Sequence, residues 1–320
     1  MSHGNAGLGE STPESVFYDR GRFGRMFPAL PAFAADTKLI RDALAELGAP
    51  GGPMDAKDQL DDPIKLITDA ALSANNPDNP TMTAGFTFVG QFIDHDMTFD
   101  PTSSLARRQD PESIRNFRIP ALDLDSVYGG GPSASPHLYD QTIDGGRTTM
   151  LLETIPGSEG RSIDGSARLD LPRNSQLTAL TGDPRNDENL ILSQFHLAWV
   201  RFHNVVVEDV RSELGAGHTA GEIFAEAQRV VRWHYQWLVL HEFLPKTVGR
   251  ETADDVLANG RKHFTWRHEP YIPVEFSVAA YRFGHSQVRP SYRANFALSA
   301  TDPTQQFFAL FFKPGDTHAT

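Results

Sequence analysis

A mainly helical protein with long polar loops and little sheet is what this sequence predicts. Two long stretches place apolar residues three and four apart, the period of one helix face. No set of segments shows the regular apolar–polar alternation of a sandwich or barrel. Gly 26 and Pro 22 together supply many turns and long connections between the helices.

At the amino end, residues 1 to about 35 mix Gly, Pro and aromatic residues, and residues 1–80 read as a segment wrapping over the rest. Within it, KLIRDALAELGAP is a helix with Leu39, Ile40, Leu44 and Leu47 on one side, stopped by Gly48 and Pro50. Residues 51–78 are polar and turn-rich apart from the short run IKLI. The crowded apolar positions of AGFTFVGQFIDHDMTF suit a core helix, with a strand as the alternative in so short a run. Residues 100–180 are rich in Pro, Gly, Asp and Arg and read as local turns, the glycines at 129–131 included; they lack the strand–loop–helix setting of a phosphate-binding loop. The strongest helix is ENLILSQFHLAWVRFHNVVVEDVRSEL, with Leu192, Phe195, Trp199, Phe202 and Val206 on its stripe and Asp183, Asn186 and Asp187 capping it or leading in. A second long helix over GEIFAEAQRVVRWHYQWLVLHEFLP ends near Pro245, and a third covers PVEFSVAAYRFGH with Pro273 in its first turn.

Composition excludes several functions. A net charge of −12 leaves nothing to neutralise phosphates over a broad surface, so nucleic acid is not an expected partner. Cysteine is absent, which removes disulfides, iron–sulfur clusters, thiolate nucleophiles and cysteine-ligated metals. The amino end has neither a basic start nor an apolar run, unlike a secretory signal. No apolar run reaches the roughly 18 residues of a membrane span, so no transmembrane segment is expected. Cytoplasmic residence and export without a signal of the usual kind both stay open.

Three polar clusters stand out. In Gln91-Phe92-Ile93-Asp94-His95-Asp96 a histidine able to exchange a proton near neutral pH lies between two acids. Adjacent side chains on a helix diverge, so one short segment can serve several sites, while a hydrogen-bonded structural histidine is the alternative. Arg185 and Glu188 sit three apart at the start of the strongest helix, where a surface ion pair is the plain explanation. In Tyr281-Arg282-Phe283-Gly284-His285 a histidine follows an apolar segment; its imidazole can bind iron or simply bond a backbone carbonyl. A metal-dependent hydrolase built on His95, His203 or His234 is weaker, because these histidines share no ligand spacing.

Taken together, GQFIDHDMTF, LDLDSVYG, LTGDPRNDENLILSQFHLAWVRFHN and YRFGHSQVRP resemble, in order and separation, the animal-type haem peroxidases of the peroxidase–cyclooxygenase superfamily, in a bacterial-like form. The resemblance spans roughly residues 80–290 and implies the helical fold of that family, with residues 81–320 as its domain. It implies His95 as the distal histidine that moves a proton between the peroxide oxygens, Arg185 as the distal arginine, and Gln91 in the distal hydrogen-bond network. It implies His285 as the proximal iron ligand. Asp94 and Glu188 match two carboxylates that can be esterified to haem, so the cofactor is haem b or a covalently attached derivative. Asn189 stands where one branch of the family has the methionine of a third link, which is therefore not expected. Arg282 matches a residue near a haem propionate, with a structural ion pair as the alternative.

The resemblance also implies calcium, held by Asp96, Asp123 and Asp125 with backbone oxygens of Ile119 and Ala121. Ile119 replaces a threonine whose hydroxyl is a ligand in relatives, and a solvated acidic turn is the alternative. Relatives continue well past the proximal histidine, whereas 35 residues follow His285 here, so the domain reads as incomplete at its carboxyl end. The expected activity is reduction of hydrogen peroxide with oxidation of a phenol, an aromatic amine or a halide. The competing readings are a haem fatty-acid oxygenase, for which Tyr281 is no convincing radical site, and a noncatalytic haem- or calcium-binding module.

Overall fold

The structure is a computed structural model that describes residues 23–27, 29–55, 79, 81–100, 115–160, 167–264, 270–288, 291–293 and 307–309. The beginning of the wrapping segment and the IKLI run lie outside these residues. Two compact units are present, the larger formed by described residues of 23–26 and Ala84–Gln287 and the smaller by those of 27–83 and 288–315.

In the smaller unit, α1 (Lys38–Leu47) starts at Thr37, whose hydroxyl accepts from the Ile40 N–H at 3.3 Å, and stops at Gly48 as the sequence predicts. Its apolar side is not core: Leu39 is 76% exposed and Leu44 62%. Residues Ser291–Arg293 and Phe307–Ala309 form an antiparallel pair in the same unit, with Tyr292 opposite Phe308.

Among the described residues of the larger unit helices dominate, with one antiparallel pair of two-residue strands, Glu153–Thr154 against Leu169–Asp170. Its main helices are α2 (Gly85–Met97), the single turn α3 (Asp125–Tyr128), α4 (Leu190–Leu214) and α5 (Ala220–Leu238). The apolar run at 85–97 is thus a helix and not a strand, with Phe88, Phe92 and Ile93 buried. On α4 the predicted stripe holds: Leu192, Trp199 and Val206 are buried, and Phe195 and Phe202 pack against the core at its edge. Phe92 of α2 meets Phe195 edge-on at 5.0 Å and Tyr235 of α5 at 6.0 Å, while Trp199 meets Tyr235 at 5.5 Å. This aromatic knot joins the three helices. Fully burying one such ring contributes about 2 kcal/mol from area alone.

Three boundaries differ from the sequence reading. The cap of α4 is Asn189, whose side chain accepts from the Leu192 N–H, while Asp183 caps a separate tight turn at Pro184–Asp187. Pro245 does not end the second long helix: α5 passes through a wide π turn, Val239–Phe243, into α6 (Leu244–Val248). Pro245 falls just after the π turn, at the second position of α6. A capping box of Thr219 and Glu222 fixes the other end of α5. After α7 (Arg250–Asn259), the segment predicted as one helix over 273–285 is the short α8 (Val274–Val278) followed by a 3-10 stretch, Ala280–Gln287. The break lies at Ala279, whose ψ of −71° goes with a φ of −127°. Both sides of it are anchored, Val274 N–H to the Gly24 carbonyl at 2.7 Å and the Tyr281 hydroxyl to the Gly90 carbonyl at 2.8 Å.

His203 of α4 is fully buried, one nitrogen against the Tyr128 hydroxyl at 3.1 Å and the other against the Thr148 carbonyl at 2.9 Å. Burial pushes its pKa from 6.5 down to about 4. The unfolded chain therefore binds this proton more readily, and stability present above pH 6.5 is lost as pH falls towards 4, worth roughly 3 kcal/mol for a full shift of this kind. The contribution is read as a difference: the non-titrating variant H203Q should have a lower urea midpoint than the unsubstituted chain at pH 7.5, and that gap should narrow as pH falls towards 4.

Candidate active site

Helix α2 carries the first cluster and the turn at Pro184–Asp187 carries the second; folding sets them side by side. His95 is buried, and its Nδ1 lies 2.9 Å from Asn186 Oδ1. Burial first, and then the Arg185 charge, push the His95 pKa from 6.5 down to about 4. The imidazole is therefore neutral at physiological pH and able to accept a proton. Arg185 turns its guanidinium to the same segment, donating from Nη2 to the His95 carbonyl at 3.1 Å and to the Thr98 carbonyl.

The arginine is itself held. Asp183, with no exposed surface, accepts from Arg185 Nε at 3.0 Å and Nη2 at 2.8 Å, and from Arg118 Nη2 at 2.8 Å. Burial alone would raise the Asp183 carboxyl, but the bonds and charges of Arg185 and then Arg118 override it and hold the pKa at about 2. The Phe99 ring packs near both guanidiniums, its centre 4.9 Å from that of Arg185 and 5.3 Å from that of Arg118. Asp183 therefore does far more than cap a turn.

Gln91 bridges two neighbours. Its amide donates to Glu188 Oε2 at 2.9 Å, and its oxygen accepts from Asn189 at 3.2 Å. Asp94 accepts from the Thr98 hydroxyl at 3.1 Å. Thus Gln91, Asp94, His95, Arg185 and Glu188, distant in sequence, belong to one connected patch. His285 and Arg282 lie on the 3-10 stretch that packs on α2 through Tyr281. His285 is exposed, with Nδ1 3.1 Å from the Arg282 carbonyl, and Arg282 donates from Nε to the Ser277 carbonyl at 2.8 Å. The sequence reading left open whether such a histidine bonds a carbonyl or binds iron; the first is observed, and it leaves Nε2 for the second.

The acidic group forms beneath α2. Asp96 is fully buried and accepts from the Leu124 and Ser126 N–H groups at 3.1 and 3.2 Å, so it caps α3. Leu122 and Leu124 have φ of 51° and 62°, a left-handed backbone on either side of Asp123. Such conformations cost of order 1 kcal/mol or more each and persist only where the surroundings impose them. Asp125 is buried with neither carboxylate oxygen hydrogen-bonded, and the Arg232 guanidinium stands 3.8 Å away. Burial and the Asp123 charge raise Asp96 to about 6, and burial with the charges of Asp123 and Asp96 raises Asp125 to about 7. Ile119 gives its carbonyl to the Ala121 N–H at 2.8 Å, and Ala121 is exposed. Among the described residues no three His, Asp or Glu side chains are arranged to hold a metal.

Sequence reasoning missed Asn186 as a partner of His95, and missed His196, Arg118 and Arg232 altogether. One signal existed: His196 and His203 fall on the buried stripe of α4 with Leu192, Trp199 and Val207, where a polar residue needs a reason. Nothing local marks Arg118 or Arg232, whose partners lie 65 and 109 residues away.

Comparison with known proteins now identifies the class. The sequence pattern of the animal haem peroxidase family matches residues 106–319. That is more than half of the chain, and the protein belongs to this family. Arg185, Glu188 and His285 lie within the match, while Gln91, Asp94, His95 and Asp96 precede it. The chain is 28% identical over 243 residues to thyroid peroxidase of Canis lupus familiaris, and 25% over 238 residues to that of Mus musculus. These alignments cover 72% and 69% of this chain but 24% of each relative, so the chain spans about a quarter of their length. A peroxidase-like protein of Margaritifera margaritifera is 34% identical over 112 residues, 34% of this chain and 14% of that protein. Among solved structures, peroxidase A of Dictyostelium discoideum aligns with a TM-score of 0.46 at 17% identity over 66% of this chain and 48% of its own. Fatty acid alpha-dioxygenase of Arabidopsis thaliana aligns with a TM-score of 0.48 at 14% identity, covering 68% and 39%. Among the described residues no helix is long and apolar enough to cross a membrane.

Removing the Asp183 charge would leave two guanidiniums without their buried counterion. The variant D183N should therefore lose roughly 3 kcal/mol of stability in urea denaturation, whereas D42N, which breaks only the exposed pair with Lys38 on α1, should show no measurable change.

Proposed function

We propose that this chain is a haem-dependent peroxidase that reduces hydrogen peroxide while oxidising a small donor, a phenol, an aromatic amine or a halide. The observation that carries the reading is a buried, neutral His95 beside a fixed Arg185. His95 Nε2 would take a proton from one peroxide oxygen and return it to the other, so that water leaves. Arg185, held by Asp183, would favour the negative charge that develops as the O–O bond lengthens. Gln91, tied to Glu188 and Asn189, would order the polar groups around the peroxide.

The donor set suits haem. His285 has Nδ1 engaged by the Arg282 carbonyl, which leaves Nε2 as the nitrogen that would bind iron. Bound haem would supply the redox chemistry, passing two electrons to peroxide and recovering them one at a time from donor molecules. Asp94 and Glu188 are the carboxylates that would hold it, covalently in an esterified form, and Arg282 would meet a propionate. Calcium as a second ion, held by Asp96, Asp123 and Asp125 with carbonyls of Ile119 and Ala121, rests on the resemblance and on the buried Asp125 carboxylate without a hydrogen bond, since the three side chains are not gathered into one ligand set. Residues 81–320 are proposed as the peroxidase domain and residues 1–80 as the segment that wraps it.

Haem titration followed by absorption tests the proposal. A histidine-ligated ferric spectrum is expected, altered in H285A; H95A should keep its haem but react with peroxide about 100-fold or more slowly. No haem uptake by folded chain, or an undiminished peroxide reaction in H95A, would overturn it. Oxygen consumption with an unsaturated fatty acid in place of peroxide turnover would point to the oxygenase.

Calcium has its own test. With folded pKa values of about 6 and 7 above the ordinary 3.8, the Asp96 and Asp125 groups make stability fall as pH rises from about 4 to 7. Calcium should reverse that loss, raising the thermal midpoint at pH 7.5 and not at pH 4.5, and the rise should vanish in D125N.

A further inference from the structure

Asn186 stands, without exposed surface, between two buried histidines. Its Oδ1 lies 2.9 Å from His95 Nδ1, and its Nδ2 lies 2.9 Å from His196 Nδ1. A carboxamide has one accepting end and one donating end. The oxygen can only accept, so His95 must carry its proton on Nδ1. The NH₂ group can only donate, so His196 must present a bare Nδ1 and carry its proton on Nε2. The same residue is fixed by its own backbone, whose N–H donates to the Asp183 carbonyl at 3.1 Å within the turn that also carries Arg185.

We propose that Asn186 is a positioning residue that sets His95 and His196 in opposite tautomers and so leaves His95 Nε2 as the bare, proton-accepting nitrogen. The inference rests on the reading of His95 as the proton acceptor for peroxide. His196 contributes at a distance. Turning the amide of Asn186 over would reverse both rings at once, presenting NH₂ to His95 with its proton moved to Nε2 and the oxygen to His196, so the two tautomers are coupled through one side chain. One turn of chain thus delivers the arginine and the orientation of the histidine together.

The test needs no bound cofactor. The full 320-residue chain, labelled with nitrogen-15 at histidine, is measured at pH 7.5 by proton–nitrogen correlation through the imidazole rings, with signals assigned in H95Q and H196Q. The expected result is an Nδ1–H tautomer for His95 and an Nε2–H tautomer for His196. The same tautomer on both rings, or an Nε2–H on His95, would overturn the proposal in the unsubstituted protein. In N186A the His95 signals should show loss of the single Nδ1–H form, and the haem-loaded variant should react with peroxide on the order of 10- to 100-fold more slowly with its ferric spectrum unchanged. An unaltered His95 tautomer in folded N186A would also overturn it. Failure of the chain to take up haem bears on the peroxidase reading alone, because the tautomer pair is measured without haem.

Discussion

A single buried carboxylate, Asp183, holds this site together. It has no exposed surface and carries its charge between Arg118 and Arg185. Three elements depend on it. The Arg118 segment is drawn to the carbonyl of Gly182, the turn at Pro184–Asp187 is capped, and Arg185 is aimed at the end of α2. The close approach also explains Gly182, where a Cβ would come within 2.6 Å of the Ser126 carbonyl and 2.8 Å of the Asp125 carbonyl. A charge so deeply placed persists only with all its partners present, which makes the arrangement rigid and intolerant of partial replacement.

The same economy runs through α2. Consecutive residues point in different directions, and here that divergence separates their tasks. Asp94 turns to Thr98, His95 to Asn186, and Asp96 to the amino end of α3. One helical turn therefore faces both the patch around Arg185 and the acidic group below it. Because Asp96 caps α3, any change in the charge of that group bears on a residue next to His95 without touching the histidine ring.

Much of this was legible in the chain. Apolar spacing gave α1, α4 and α5, crowding of apolar residues favoured α2 while leaving a strand open, and the order of four motifs gave the family, because such patterns are local and repeated. Helix ends were read less well. Pro245 was expected to stop a helix that continues past it, and residues 273–285 were expected to be continuous where the chain breaks at Ala279. In both places tertiary anchoring and a change of helical pitch outweigh local preference. Within the patch, His95, Arg185 and Gln91 could be named from resemblance, but their supports could not. Asn186 and Asp183 look like ordinary capping residues in sequence, and only burial and distance give them further roles. The pair of Arg232 and Asp123 spans more than a hundred residues and leaves no trace in any local pattern.

The wide turn at Val239–Phe243 is in effect one residue absorbed into an otherwise regular helix. Each residue added to a helix rotates the remainder of that helix by about 100°. The extra one brings Phe243 into the core, its ring stacked on Phe86 at 6.5 Å and so close to Gly90 that a Cβ there would approach to 3.3 Å. Chain length at this point is therefore a constraint of its own. Deleting a single residue would leave every remaining side chain chemically intact and still swing Phe243 away from the helix that carries Gln91 and His95.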